Sequence, residues 1–158
     1  METKLSEGAP LGRILYVEDD EDSRTMLALM LKIAGYTVTT ATSVAEALEL
    51  HKLEHFNLYI LDSRFADGSG IDLCRQLRAL EPVAPIIFYS GLGYPSDIAA
   101  GLAAGAQGYL TKPMGIYTIV QTIAEVLTGA KPIQIEVQRV PAAIKDRHPQ
   151  LALIENVN

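Results

Sequence analysis

Three carboxylates stand at the ends of short apolar runs of the sequence. Glu18 and Asp19 follow the run 13–17, and Asp62 ends the run 57–62. Acids that share one small site repel each other, and a like-charge pair about 4 Å apart costs about 4 kcal/mol at an effective dielectric of about 20. Such a site must hold protons or bind a cation. Oxygen ligands without His or Cys select a hard cation such as Mg²⁺.

A hydroxyl and an ammonium group mark the ends of two further apolar runs. Ser90 ends the run 84–90, and Lys112 follows the run 108–111. A carboxylate beside Mg²⁺ can act as a nucleophile toward phosphorus and form an aspartyl phosphate. The lysine would neutralise the phosphoryl oxygens, and the serine hydroxyl would hydrogen-bond to one of them. Together with the acids, these groups predict reversible phosphorylation of Asp62.

Each of these residues also has an ordinary structural interpretation. Asp62 can cap the next turn or helix, and the acidic run 18–22 can simply begin a helix. Ser90 can be a turn hydroxyl, and Lys112 can be a loop residue. Their shared position at strand ends favours the functional interpretation.

The elements that would position these groups are strands and helices in strict alternation. This pattern predicts a doubly wound α/β fold with a five-stranded parallel sheet between two layers of helices. The order 2-1-3-4-5 places the strands that end in acids side by side. The predicted strands are 13–17, 36–41, 57–62, 84–90 and 108–111, and the predicted helices are about 21–34, 43–54, 71–80, 95–105 and 116–127.

The first helix has a pattern that indicates its apolar face. Met26, Met30 and Ile33 recur at helical spacing, with Leu27 and Leu31 beside them. This spacing predicts a helix over about residues 21–34.

Other residues carry expectations outside the acid site. Gly101 and Gly105 interrupt the fourth helix, which should be the most mobile of the five. His51 and His55 lie near a helix end and are expected to be solvated. Cys74, the single cysteine, is expected to be a packed thiol rather than a reactive one.

Composition excludes several classes of protein. Hydrophobic residues make up 49% and charged residues 20%, which is ordinary globular usage. The net charge of −6 disfavours direct DNA binding. The sequence has no apolar stretch of membrane-spanning length and no signal peptide, so we expect a cytoplasmic protein without membrane contact.

Four segments of the sequence match the pattern of one known family. They are Ile14-Leu15-Tyr16-Val17-Glu18-Asp19-Asp20-Glu21, Leu61-Asp62 with Gly70 eight residues on, Pro85-Ile86-Ile87-Phe88-Tyr89-Ser90-Gly91, and Gly101-Leu102-Ala103-Ala104-Gly105-Ala106-Gln107-Gly108-Tyr109-Leu110-Thr111-Lys112-Pro113. Together they resemble the receiver domain of two-component response regulators. The resemblance covers about residues 12–129 and implies a flavodoxin-like fold.

The resemblance implies a role for each site residue. Asp62 would accept a phosphoryl group from a sensor histidine kinase or phosphotransfer protein of a phosphorelay. Mg²⁺ would be held directly by Asp19, with Glu18 acting nearby, and by Asp62 and the backbone carbonyl of Arg64. Such a domain catalyses only its own phosphorylation and dephosphorylation, and is not otherwise an enzyme.

A second group of implied roles concerns binding of the phosphoryl group and the conformational switch. Lys112 and Ser90 would bind the phosphoryl group. Ser90 and Tyr109 would then move together and alter the surface that a downstream protein target recognises. The Lys112–Pro113 peptide bond is expected to be cis.

The sequence departs from the family pattern at three positions. Glu18 stands where the family usually has Asp, and its extra methylene would shift the Mg²⁺ geometry. Ala66 stands where the family often has Pro, which predicts a looser loop after Asp62. Arg64 is expected to reach over the site, to alter the rate at which water attacks the phosphoryl group, and to pair with the acids when Mg²⁺ is absent.

The domain prediction is a receiver at 12–129 followed by a tail at 130–158 and no output domain. The segment 133–138 alternates as a strand does, and the tail is either short strands, which could pair with a second copy in a homodimer, or partly disordered. Two other functions were considered. A phosphohydrolase of the haloacid dehalogenase type needs an Asp where Arg64 stands. A pseudo-receiver that binds proteins without being phosphorylated stays open as the alternative.

Overall fold

The computed structural model describes residues 9–129, and strands alternate with helices throughout this part. The predicted five main strands and five helices are confirmed. The tail 130–158, with its predicted strand, lies outside the described residues. In chain order the elements are β1 (Arg13–Val17), α1 (Glu21–Ile33), β2 (Thr37–Ala41), α2 (Val44–Leu53), β3 (Leu58–Leu61), β4 (Arg64–Phe65), β5 (Gly68–Ser69), α3 (Gly70–Leu80), β6 (Ile86–Ser90), α4 (Pro95–Ala103), β7 (Gly108–Thr111) and α5 (Ile116–Leu127).

The main sheet is parallel and has the order β2-β1-β3-β6-β7. Because β4 and β5 form a separate antiparallel hairpin, the five main strands follow the predicted order 2-1-3-4-5. Val17 lies opposite Leu61, and Ser90 lies opposite Thr111. The carboxyl ends of β1, β3, β6 and β7 therefore open at the same end of the sheet.

Helices cover both faces of the sheet, which confirms the three-layer α/β/α arrangement. Successive residues of a strand point to opposite faces. In β1, Leu15 and Val17 pack in a cluster with residues of α2, α3 and the end of α4. Ile14 and Tyr16 pack on the other face with residues of α1 and α5. None of the helices within residues 9–129 is long and apolar enough to span a bilayer.

The buried face of α1 uses only some of the apolar residues in its sequence pattern. The helix packs on Leu27, Ala28 and Leu31, whereas Met26 is 60% exposed and Ile33 is 78% exposed. The reason is that residues 26–31 are all apolar, so spacing alone does not select the face that meets the sheet. Leu27 and Leu31, which lie beside Met26 and Met30 in the pattern, form the contact together with Ala28.

In α4, one glycine is required by packing. A Cβ at Gly101 would lie 2.8 Å from Cδ2 of Tyr109 and 3.1 Å from Cδ2 of Phe88. The helix ends at Ala103, two residues earlier than predicted, and Gly105 follows with a φ of +109°. Gly101 thus lets α4 approach the aromatic side chains of the sheet. The greater mobility of α4 stays a prediction.

His51 is not solvated, contrary to the expectation from its place near a helix end. Its side chain is 16% exposed, and its Nδ1 lies 2.6 Å from the hydroxyl oxygen of Tyr59. The hydroxyl of Tyr59 in turn donates to Glu81 at 3.3 Å. The last turn of α2 lies over β3, which explains the burial of His51, whereas His55 follows the helix and is exposed.

Candidate functional site

The strand register brings the predicted acids together. Glu18 and Asp19 follow the last residue of β1, and Asp62 follows the last residue of β3. The backbone N–H of Asp62 donates to the carbonyl of Val17 at 3.1 Å, and that of Glu18 donates to the carbonyl of Ala41 at 3.0 Å. Parallel pairing therefore continues just past the strands and holds these two acids side by side.

The three carboxylates form one compact cluster. Glu18, Asp19 and Asp62 each offer an oxygen, and these oxygens all lie within 4.8 Å of one another. Glu18 is 1% exposed, whereas Asp19 is exposed to solvent. A donor set of carboxylate oxygens alone, open to water on one side, fits a hard divalent cation such as Mg²⁺. The three predicted carboxylate ligands are thus brought together, and the role of the Arg64 carbonyl stays a prediction.

Lys112 provides the positive charge of the cluster. Its Nζ lies 2.6 Å from Oε2 of Glu18 and 3.5 Å from Oδ2 of Asp62. The same Nζ stands 5.3 Å from the ring centre of Tyr89, a favourable position for a cation. The backbone places it there, because the N–H of Lys112 donates to the carbonyl of Ser90 at 2.7 Å. The next peptide bond, Lys112–Pro113, is cis as expected.

Glu18 accepts hydrogen bonds from three donors despite its burial. Lys112 and the hydroxyl of Tyr16 both donate to Oε2, the hydroxyl at 3.2 Å. The backbone N–H of Asp20 donates to Oε1 at 3.1 Å. Asp20 caps the N-terminus of α1, because its carboxylate accepts from the N–H of Ser23 at 2.9 Å. Glu18 therefore serves the cluster, and Asp20, two residues later, caps the start of the helix.

Burial and charge shift the pKa values of the paired groups. Burial raises the pKa of Glu18 above its ordinary value, and the hydrogen bond from Lys112 opposes this rise. Burial lowers the pKa of Lys112, but its hydrogen bond to Glu18 and the charge of Asp62 outweigh burial and leave it raised. Lys112 therefore keeps its proton beside the acids. Burial, and then the charge of Glu18, raises the pKa of Tyr16, so its hydroxyl remains a donor.

A tight turn follows Asp62. The carboxylate of Asp62 accepts from the N–H of Ser63 at 2.7 Å, and the carbonyl of Ser63 accepts from the N–H of Gly70 at 2.8 Å. A Cβ at Gly70 would lie 2.0 Å from the carbonyl oxygen of Asp62, so only glycine fits there. This close approach explains why Gly70 stands eight residues after Asp62 in the sequence pattern.

Arg64 does not take the place that was expected in the cluster. It begins β4, two residues past Asp62, and its side chain is exposed. It forms no ion pair with any acid within residues 9–129. The expectation that it pairs with the acids is wrong in this structure, where Lys112, which follows β7, contacts Glu18 and Asp62 instead.

Ser90 and Tyr109 are linked through one backbone position. The hydroxyl of Ser90 accepts from the N–H of Leu92 at 3.1 Å, and the hydroxyl of Tyr109 donates to the carbonyl of Leu92. Tyr109 is almost fully buried and stacks on Phe88, with ring centres 5.4 Å apart. The two predicted switch residues thus hold the same loop residue.

The sequence interpretation missed three residues that support the site. Tyr16 lies two residues before Glu18, and strand alternation places both side chains on one face, a signal that was available. Leu92 acts through its backbone and leaves no trace in its residue type. The carboxylate of Asp67, in the turn between β4 and β5, accepts from the N–H groups of Val44 and Ala45 at 2.9 Å. These donors lie 23 and 22 residues away along the chain.

One protein family model matches this chain. Residues 14–124 match the model described as response regulator receiver domain. The chain is 35% identical over 120 residues to response regulator MprA of Mycobacterium leprae, covering 76% of this chain and 53% of that protein. It is 34% identical over 119 residues to the cell cycle transcriptional regulator CtrA of Caulobacter vibrioides, covering 75% of this chain and 52% of that protein. The chain thus spans about half the length of these curated relatives.

Solved structures show the same likeness. A crystal structure of a putative response regulator from Chloroflexus aurantiacus superposes with a TM-score of 0.72 at 33% identity, covering 75% of this chain and 98% of that chain. Chemotaxis response regulator CheY4 of Vibrio cholerae superposes with a TM-score of 0.67 at 29% identity, covering 72% of this chain and 97% of that chain. These chains share the five-stranded sheet and its flanking helices.

Proposed function

This chain belongs to the response regulator receiver domain family, and from that premise we propose that Asp62 is its phosphoacceptor. The proposal rests on one observation above all. Lys112 contacts both Glu18 and Asp62 within a cluster of three carboxylates, so the groups that phosphoryl transfer requires already stand together. The phosphoryl donor would be a phosphohistidine of a sensor histidine kinase or phosphotransfer protein.

In the proposed reaction, Asp62 forms an O–P bond while the P–N bond to the donor histidine breaks. The electron pair of that bond stays on the imidazole nitrogen. Glu18, Asp19, Asp62 and the backbone carbonyl of Arg64 would hold Mg²⁺, which when bound neutralises the charge of the acids and the phosphoryl oxygens. Hydrolysis would later return Asp62 and inorganic phosphate.

Lys112 has to change partners during this reaction. It now neutralises Glu18 and Asp62, and a new phosphoryl group on Asp62 would offer it a stronger anionic partner. We propose that its ammonium group turns to a phosphoryl oxygen. Glu18 would then be one of the residues that hold Mg²⁺, which would supply its counter-charge.

The conformational response would pass through Leu92. When the Ser90 hydroxyl turns to donate to a phosphoryl oxygen, it gives up the hydrogen bond that it accepts from Leu92. The loop that Tyr109 also holds is then free to move, and Tyr109 moves with it. The surface of α4, β7 and α5 would change and be recognised by a downstream protein target in the cytoplasm. Direct contact with DNA or membrane is not proposed, and a second copy of the chain is a further candidate partner.

The test is phosphorylation by a small-molecule donor. Protein incubated with Mg²⁺ and acetyl phosphate should gain one phosphoryl group, about 80 Da, in its intact mass. The adduct should disappear when Asp62 is replaced by Asn or when the metal is chelated. A protein that gains no adduct with any phosphodonor would instead be a pseudo-receiver, which binds proteins without being phosphorylated.

A further inference from the structure

Tyr16 is a buried polar residue that the proposed reaction does not use. It belongs to β1 and lies between Thr40 of β2 and Ile60 of β3, and its side chain is fully buried. Its ring packs in the cluster formed with α1 and α5. Its hydroxyl donates to Oε2 of Glu18 at 3.2 Å. The surrounding core therefore fixes the position of this hydroxyl.

The three donors to Glu18 differ in whether they can move. The N–H of Asp20 belongs to the backbone and binds Oε1. Lys112 binds Oε2 with a flexible side chain, and under the proposed function it leaves for the phosphoryl group. Tyr16 binds the same Oε2 from a rigid strand. It is the donor that stays on Oε2 after Lys112 has gone.

The length of the side chain at position 18 matters for this contact. An aspartate there would be shorter by one carbon–carbon bond, about 1.5 Å. Its carboxylate would fall short of the Tyr16 hydroxyl, which is already 3.2 Å from Oε2 of Glu18. The departure from the family pattern at Glu18 is therefore matched by a tyrosine two residues earlier that reaches the longer carboxylate.

We propose that Tyr16 is a positioning residue that holds the Glu18 carboxylate in its cation-binding orientation, both while Lys112 shares Oε2 and after Lys112 moves to the phosphoryl group. The part played by Lys112 rests on the proposed function. Tyr16 touches neither the cation nor the phosphoryl group and acts through Glu18 alone. The chain thereby keeps a glutamate in a site where the extra methylene would otherwise leave the carboxylate free to turn.

The first test measures Mg²⁺ binding directly. Tyr16→Phe keeps the ring and removes only the hydroxyl. It should raise the Mg²⁺ dissociation constant about fivefold in titration calorimetry of metal-free protein. Phosphorylation by acetyl phosphate should recover at saturating Mg²⁺, because the hydroxyl acts on cation binding rather than on Asp62. Tyr36→Phe is the matched control, since Tyr36 is buried in the same cluster away from the acids and should leave the constant unchanged. An unchanged constant in Tyr16→Phe would overturn the proposal.

The second test is a double-mutant cycle in unfolding midpoint, measured without metal or phosphodonor. Tyr16→Phe should lower the midpoint of the natural chain. In a Glu18→Asp background the Tyr16 hydroxyl loses its partner, so the same substitution should raise the midpoint. A shift of the midpoint in the same direction in both backgrounds would contradict the hydrogen bond between Tyr16 and Glu18. Because this cycle needs no phosphorylation, it separates failure of the positioning role from failure of the proposed function.

Discussion

Lys112 is the residue that lets three acids coexist in this structure. Its ammonium group lies between the carboxylates of Glu18 and Asp62, and the raised pKa of Lys112 keeps it charged there. Glu18 is the more dependent of the two acids because it is almost fully buried. A buried carboxylate that loses its partner destabilises the fold, whereas an exposed one is solvated by water.

Replacement of Lys112 by Met should therefore destabilise the metal-free protein. We expect a loss of about 2–3 kcal/mol in the free energy of unfolding, because Glu18 is left without its strongest partner. Burial holds the pKa of Glu18 in the folded state above its value in the unfolded chain. The protonated carboxyl group therefore contributes stability at low pH, and this contribution is lost as pH rises through the folded-state pKa. The deficit should thus be smaller at about pH 5 than at about pH 8.

Urea denaturation at the two pH values measures this effect. Lys52→Met is the matched control, because Lys52 pairs with Glu49 on the surface at 2.9 Å and should change stability little. A deficit in Lys112→Met no larger than that of the control would show that the buried pair does not stabilise the fold.

Arg64 leads to a separate expectation about the lifetime of the phosphoryl group. Its exposed side chain pairs with no acid in the described part of the chain, so it is free to cover a phosphoryl group on Asp62. Arg64→Ala should open the site to water and shorten the half-life about threefold or more. The measurement is the decay of the intact-mass adduct after removal of acetyl phosphate. Arg75→Ala on α3 is the control, and equal half-lives in both variants would rule out this role for Arg64.

Two elements depend on contacts made far away in the chain. The start of α2 is held by Asp67 in the turn between β4 and β5, which accepts from the N–H groups of Val44 and Ala45. In α4, Gly101 allows the helix to pack against Tyr109 and Phe88. The segment after Asp62 and the helix α4 are thereby both tied to the rest of the fold.

The Asp67 contact should give stability that depends on pH. Hydrogen bonds from Ala45 and Val44 hold the pKa of Asp67 below its ordinary value of about 3.9. A depressed pKa gives stability that is present above the ordinary value and is lost as pH falls through the folded-state pKa. Asp67→Asn should lower the thermal midpoint at neutral pH, and the gap should close in acid. A gap that stays constant across the acid titration would contradict this role.

The substitution Gly101→Ala compares two opposing effects, the cost of a steric clash and the gain in helix propensity. Alanine favours a helix interior by about 1 kcal/mol over glycine, but the new Cβ would lie 2.8 Å from the Tyr109 ring. Overpacking typically costs about 1–3 kcal/mol, so we expect a net destabilisation of about 1 kcal/mol in urea denaturation. Gly91→Ala is the control, because a Cβ there meets nothing within 4 Å. A stabilised Gly101→Ala protein would show that α4 shifts freely.

Across the whole molecule, the features that follow from local patterns were predictable. Apolar runs and helix starts gave the five strands and five helices, and the need to bring Glu18 and Asp62 together gave the order of the sheet. The cluster of acids with Lys112 then follows from parallel strands that end at the same level.

Features that depend on three-dimensional packing were not predictable. The sequence could not show which side of α1 meets the sheet, because residues 26–31 are apolar all round. Nor could it show that His51 is held by Tyr59, or that the exposed side chain of Arg64 forms no ion pair with the acids. These outcomes depend on side-chain reach across elements, which spacing along the chain does not report.

The proposed transfer of a phosphoryl group to Asp62 depends on Mg²⁺ and can be located at a single residue. Borohydride reduces an aspartyl phosphate to homoserine, and tandem mass spectrometry of the peptide that contains β3 locates the reduced residue. After incubation with Mg²⁺ and acetyl phosphate, the conversion should occur at Asp62 and should vanish when the metal is chelated. Conversion at Asp19 instead, or no conversion at any residue, would contradict the claim.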